Sequence, residues 1–324
     1  MAEAAPPSAA LGGRTSDVAD NGASSTLVGL IGAALAVTAW GSASVLVKAV
    51  DMGGLAVAVY RFLFHFVVIA AWMSFRGKPF SLRVVRQSAF GGIALALDVA
   101  FFFTAIKETS VINATLIGAL QPILVGVVAA RFFGEKIRSR DAIWSILALV
   151  GVFAVVIAAA DSAVSSTRGD LLAAGALVSW SAYFIASKRS KNTMTSTEFT
   201  AGAALWAGAL NLPLALAFGQ DLSLPSGRDL TLILLITFVA GVFGHSLMNW
   251  SLVRIPLWVG STFTLLIPVF SALIAWAFLD EAIALRQGLA MAVVIGSLAM
   301  IVRSQSAAAK SAAAHRSILD VADA

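Results

Sequence analysis

The sequence contains no cysteine. That excludes disulfides, thiolate metal sites and thiol redox chemistry, and it leaves the compartment unmarked by cysteine usage. Charge is scarce as well: 12% of residues are Asp, Glu, Lys or Arg, against about 25% in an ordinary soluble domain. A chain this poor in charge and 59% hydrophobic has more apolar surface than a water-soluble core can hide. Signatures of catalysis are also missing. The Gly77-Lys78 pair runs into Pro79 and does not complete a phosphate-binding loop, so ATP is excluded as a direct energy source. No His-Glu-x-x-His or Gly-x-Ser-x-Gly occurs, and His65, His245 and His315 are too scattered to hold a metal. The chain therefore reads as a non-enzyme without metal or cofactor.

What is present is a series of long apolar runs. Asn21–Val47, Thr109–Ala130, Ala142–Ala160, Phe199–Gln220, Leu230–Val253 and Ile255–Leu279 carry no charge, and each reaches the roughly 20 residues that cross a bilayer. Adding runs interrupted by one ionisable group predicts ten spans, near 27–48, 53–75, 88–107, 110–132, 141–160, 170–188, 196–218, 230–253, 257–279 and 285–303. The fold class is an all-α integral membrane protein. Residues 1–26 lack the apolar core of a signal sequence, so the first helix is expected to stay as a span. Residues 1–26 and 304–324 are rich in Ala, Ser and other small residues and read as disordered cytoplasmic tails.

Cytoplasmic loops of membrane proteins collect Lys and Arg, which explains a pI near 9.9. With the N-terminus inside, the inner face receives Arg14, the 76–86 and 131–140 groups, Lys188, Arg189, Lys191, Arg254, Arg303, Lys310 and Arg316, 16 in all. The outer face receives five, Lys48, Lys107, Arg168, Arg228 and Arg286, and Arg61 lies within a span. Both termini are thus expected in the cytoplasm. The basic residues mark topology, and no basic stretch is interleaved with aromatics as a nucleic-acid groove would require.

Two internal repeats set the architecture. Pro122, Glu135 and Arg140 recur as Pro268, Glu281 and Arg286 at a constant offset of 146 residues. Trp40 and Lys48 recur as Trp180 and Lys188 at an offset of 140. Five spans per half force the second half to start from the opposite side, so the halves, 27–160 and 169–303, are expected to be inverted repeats. In such folds a substrate site lies near the midplane between the repeats, and rocking exposes it to each side in turn.

With ten spans, two five-helix repeats and a Glu closing the fourth span of each, the chain resembles the drug/metabolite transporter superfamily, EamA-type. Its aromatic-rich spans are similar to those of aromatic amino acid exporters of the YddG type. The resemblance implies a bacterial inner membrane protein with cytoplasmic termini that exports amino acids or related metabolites.

Ionisable groups inside a span are costly in lipid and mark cavities or partners. Four qualify: Arg61 and His65 in the second span, Asp98 in the third and His245 in the eighth. Asp98, with Phe102 a turn further along, suits a substrate ammonium or proton movement. The alternative is an internal partner for Arg61 or His65. Under the 146-residue offset Asp98 corresponds to Gly244, beside His245. His245 shares a face with Asn249. Arg61 reads as snorkelling outward or paired. Trp40 and Trp180 sit at mid-span instead of at the interface, where membrane Trp residues gather, and with Tyr183 they suit the wall of a pocket for a flat side chain; ordinary packing is the bland alternative. Asn113, Gln121, Ser261 and Thr264 offer uncharged hydrogen-bonding groups, which also serve as glue between helices. Pro122 and Pro268 are expected to kink their helices as matched hinges, and Glu135 and Glu281 to form salt bridges at the helix joints.

These features predict a monomeric, alternating-access exporter of amino acids with aromatic or hydrophobic side chains, in contact with small-molecule substrate and lipid. Efflux of cationic drugs is the main alternative. A channel would need rings of charge or a carbonyl filter. An intramembrane hydrolase would rest on a Ser261–His245 dyad with no orienting acid.

Overall fold

The computed structural model describes residues 8–109, 111–158, 166–279 and 282–322. Ten helices among them are long and apolar enough to cross a membrane. A bilayer supplies no water to unpaired backbone groups, so an apolar chain satisfies them within helices. The first half comprises α1 (Ser8–Lys48), α2 (Gly54–Phe75), α3 (Leu82–Glu108), a fourth span split into α4 (Val111–Gly118) and α5 (Gln121–Phe132), and α6 (Ser139–Ala158). The second comprises α7 (Thr167–Ser190), α8 (Ser196–Ala217), an eighth span made of α9 (Gly227–Ile236), a π-helical stretch Thr237–His245 and α10 (Ser246–Leu252), a ninth span split into α11 (Leu257–Phe263) and α12 (Ile267–Leu279), and α13 (Leu285–Ala322).

The halves interlock as an inverted repeat requires. The second span packs on the seventh, the fifth on the tenth and the fourth on the ninth, each against its own counterpart. The first and third spans exchange partners: α7 lies along α3, and α1 lies along the π-helical stretch and α10. Large apolar side chains such as Ile31, Val67, Phe90, Ile123, Val150 and Leu216 stay exposed on the outside of the bundle, where lipid would cover them.

The fourth and ninth spans, expected as single helices, are both interrupted just before proline. Residues 119 and 120 form a turn ahead of Pro122, and Thr264–Leu266 form a 3-10 turn ahead of Pro268. Each proline stands second in the helix that follows, where its missing N–H costs nothing. The ends also differ from expectation, for α1 begins at Ser8 and α13 continues to Ala322 where disordered tails were predicted. Alanine has the highest intrinsic helix propensity, and it dominates residues 307–314.

Candidate functional site

The two mid-span indoles meet at the centre of the bundle. Trp40 and Trp180 have ring centroids 5.1 Å apart in an edge-to-face arrangement. Trp180 stacks on Tyr183 at 5.4 Å and meets Phe184 at 5.0 Å. His245 lies 5.1 Å from the Trp40 ring and 5.9 Å from His65. These side chains come from α1, α2, α7 and the π-helical stretch, so the cluster joins the two repeats.

The π-helical stretch lets this happen. Widening the helix turns the Ala240 carbonyl toward α1, and the Trp40 indole N–H donates to it at 3.1 Å. Glycine provides the room: a Cβ on Gly244 would lie 2.8 Å from Trp40 Nε1, and one on Gly241 would lie 3.3 Å from His65 Nδ1. The Gly241-x-x-Gly244 spacing therefore seats two aromatic rings.

Below the rings is a closed hydrogen-bond network. Ser187 Oγ donates to Asn249 Oδ1 at 2.7 Å, and Asn249 Nδ2 donates to Tyr183 Oη and Thr200 Oγ1, both at 2.9 Å. The Tyr183 hydroxyl also lies 3.1 Å from His245 Nδ1 and 3.3 Å from Asn249 Oδ1, so it joins the imidazole to the amide. Tyr183, His245 and Asn249 are almost wholly buried. They brace the wall and do not line open space.

Other expected site residues are dispersed. Gln121 is buried at the break in the fourth span, and Thr264 at the matching break in the ninth donates to its Oε1 at 2.9 Å. Ser261 Oγ donates to the Trp258 carbonyl at 2.9 Å and is fully buried, so it forms no dyad with His245. Phe102 is half-buried against Ala105, Ala114 and Ala173. The side chain of Asn113 and all of Glu281 lie outside the described residues.

Asp98 differs from the rest. It sits deep in the protein, within electrostatic reach of Arg61, yet is only half-buried. Among the described residues its carboxylate takes part in no hydrogen bond and no ion pair within 4.0 Å. Arg61 is likewise half-buried, with its guanidinium 4.5 Å from the Phe62 ring and Asp98 supplying an attractive charge in its surroundings. It points into the bundle and does not snorkel. His65 is buried with neither ring nitrogen hydrogen-bonded among the described residues. The sequence-based alternative that Asp98 partners Arg61 is met in part: the two interact electrostatically but form no ion pair within 4.0 Å.

One end of the bundle is tied shut, on the face expected to be cytoplasmic. Glu135 accepts the N–H groups of Leu257 at 2.8 Å and Trp258 at 3.2 Å, capping α11, and its Oε1 is 3.8 Å from Lys188 Nζ. Lys188 in turn donates to the carbonyls of Leu252 at 2.7 Å and Ile255 at 2.5 Å, closing the end of α10. Glu135 therefore does form its expected salt bridge and is also a helix cap. Beside them Arg254 donates to the Trp250 carbonyl at 2.9 Å, and partial burial lowers its guanidinium from the ordinary value. No three His, Asp or Glu side chains converge as metal ligands among the described residues.

The EamA-like transporter family matches the chain twice, over residues 27–157 and 167–303. The uncharacterized transporter YetK of Bacillus subtilis is 22% identical over 248 residues, covering 74% of this chain and 75% of its own. The uncharacterized transporter YwfM of the same organism is 25% identical over 255 residues, covering 78% and 84%. An uncharacterized transporter of Haemophilus influenzae is 29% identical over 219 residues, covering 63% and 70%. A solved crystal structure superimposes with a TM-score of 0.71 at 22% identity, over 85% of this chain and 96% of the other, and shares the fold.

Proposed function

We propose that this chain, which belongs to the EamA-like transporter family and is a multi-pass membrane transporter, exports amino acids with aromatic or hydrophobic side chains by alternating access. The observation that carries the reading is Asp98. A carboxylate deep in a membrane bundle, half-buried and with no hydrogen bond and no ion pair within 4.0 Å among the described residues, is costly unless something charged or polar comes against it. A substrate ammonium meets that requirement. Trp180, half-buried beside Phe184, and Phe102 one turn from Asp98 supply apolar faces for the side chain. Tyr183, His245 and Asn249 hold Trp180 and Trp40 in place from behind.

Alternating access draws on the pairing of counterpart helices and on the tied end. Three spans packed against their symmetry mates, and two that exchange partners, offer two equivalent ways of rocking, one closing each side. The Glu135–Lys188 junction closes the side that the distribution of Lys and Arg assigns to the cytoplasm, so the conformation described is inward-closed. Breaks before Pro122 and Pro268 would serve as hinges. By the same charge rule both termini are cytoplasmic, and the bacterial inner membrane is the fitting location.

Counterflow in proteoliposomes tests the reading. Saturable exchange of labelled L-phenylalanine or L-leucine, weakened but still measurable in Asp98→Asn, is expected. Linear, non-saturable flux would point to a channel, and exchange of organic cations with no exchange of any amino acid would replace the amino acid reading with drug efflux.

A further inference from the structure

Arg61 is a guanidinium at mid-span that the bracing network does not use. Its head lies against the Phe62 ring at 4.5 Å. Asp98 contributes the attractive charge in its surroundings, and it does the same for Asp98. Despite that, the two do not close into an ion pair within 4.0 Å. Each side chain retains accessible surface although both are deep in the protein. Two opposite charges that attract each other at mid-span, each partly accessible and neither in contact with the other, present the two poles that a ligand carrying both signs requires.

We propose that Arg61 and Asp98 form the two poles of a zwitterion site, Arg61 receiving the carboxylate and Asp98 the ammonium of one α-amino acid. The proposal rests on the amino acid reading above and adds the residue that would hold the acid end. Guanidinium presents a planar fork that matches a carboxylate through two parallel hydrogen bonds, which an ammonium side chain does not reproduce. An organic cation entering the same site meets Arg61, and an organic anion meets Asp98. Only a solute neutral overall and charged at both ends satisfies both poles, so the pair selects amino acids over amines and over carboxylic acids.

The asymmetry of the repeats supports this placement. Trp40 packs its indole against Gly244, the position that corresponds to Asp98 under the 146-residue offset. Trp40 is buried while Trp180, its counterpart, is half-open. The half-open indole is thus the one on α7, the helix of the opposite half that lies along α3, which carries Asp98.

The test uses the full-length protein in proteoliposomes, with counterflow of labelled L-phenylalanine against unlabelled L-phenylalanine, phenethylamine and 3-phenylpropionate. In the parent the amino acid is expected to compete on the order of 100-fold better than either analogue, which lies within the range that truncating one partner of a buried charge pair costs. Arg61→Gln is expected to lose this preference over phenethylamine, and Asp98→Asn to lose it over 3-phenylpropionate. Both variants retaining the parent order of competitors would overturn the proposal while leaving amino acid transport standing. A parent that exchanges no amino acid overturns the functional reading itself and the site with it. If Arg61→Gln does not fold, Arg61→Lys carries that arm: about tenfold weaker competition by L-phenylalanine at an unchanged thermal midpoint is expected, and unchanged competition would refute the role of Arg61.

Discussion

Replacing Glu135 by alanine should open the tied end of the bundle. The carboxylate accepts two backbone N–H groups at 2.8 and 3.2 Å and lies 3.8 Å from Lys188 Nζ. A hydrogen bond to a charged group contributes about 1.5–3 kcal/mol. Taking the lower figure for both, and adding nothing for the longer contact to lysine, the closed arrangement loses about 3 kcal/mol. At 1.4 kcal/mol per factor of ten, the ratio of closed to open molecules falls roughly 150-fold. Lys188 does not become an orphan that confuses the outcome, since it keeps the Leu252 and Ile255 carbonyls at 2.7 and 2.5 Å. Glu135→Gln retains an acceptor without the charge and should fall between the two.

Because the chain has no cysteine, two introduced ones are the only labels. Lys136 and Val253 are exposed and lie just past the ends of the fourth and eighth spans, close in sequence to Glu135 and Ile255, so spin labels on Lys136→Cys and Val253→Cys report its width. Double electron–electron resonance should show one short distance in the parent, a longer population dominating in Glu135→Ala, and a mixture in Glu135→Gln. An unchanged distance distribution in Glu135→Ala, with the protein folded, would refute the idea that this carboxylate holds the end shut.

Tyr183→Phe removes a hydroxyl that links Asn249 to His245, and hydrogen bonds between membrane helices contribute about 1 kcal/mol, so the thermal midpoint in detergent should fall on the order of 2 °C. Gly244→Ala places a Cβ 2.8 Å from Trp40 Nε1; overpacking of about 1–3 kcal/mol should lower the midpoint further and cost transport activity. Trp180→Ala removes the half-open aromatic face, and competition assays should show the preference for aromatic over aliphatic amino acids reduced by up to about tenfold. A cysteine at the exposed position of Lys310 should react with an impermeant maleimide in inside-out vesicles and stay unmodified in intact cells.

Helix count and repeat were legible because both depend on spacing along the chain. Pro122 and Pro268 announced the broken spans, since proline deletes a donor and fixes φ wherever it stands. The π-helical stretch carried no such mark. Its stability depends on Trp40, 200 residues away, donating to Ala240, and a partner that distant leaves no local pattern. Tyr183, His245 and Asn249 were singled out correctly as polar groups among apolar ones, but composition does not tell a braced polar group from one facing a cavity. The difference lies in whether neighbours such as Ser187 and Thr200 complete its hydrogen bonds. Arg61 shows the limit of reading depth alone. Counting residues from the membrane face gives its height in the bilayer, whereas its role follows from the direction it takes around the helix, which the packing of α2 sets.

Inverted repeats suit a carrier because matched scaffolds give states of matched energy, yet a perfectly symmetric site would serve an amino acid poorly. A ligand with one cationic and one anionic end has no twofold axis, so the residues that meet it must break the symmetry of the helices that carry them. The break is visible at related positions: glycine at 244 admits an indole, while aspartate at 98 puts a charge on α3, along which the helix of the second, more open indole packs. Symmetry in the backbone thus provides the motion, and its violation in a few side chains provides the recognition. On this view, engineered symmetry at the centre would be tolerated by the fold and would abolish recognition of the ammonium: Asp98→Gly, which matches position 98 to Gly244, should leave the two halves able to pack, with competition by L-phenylalanine no better than by 3-phenylpropionate.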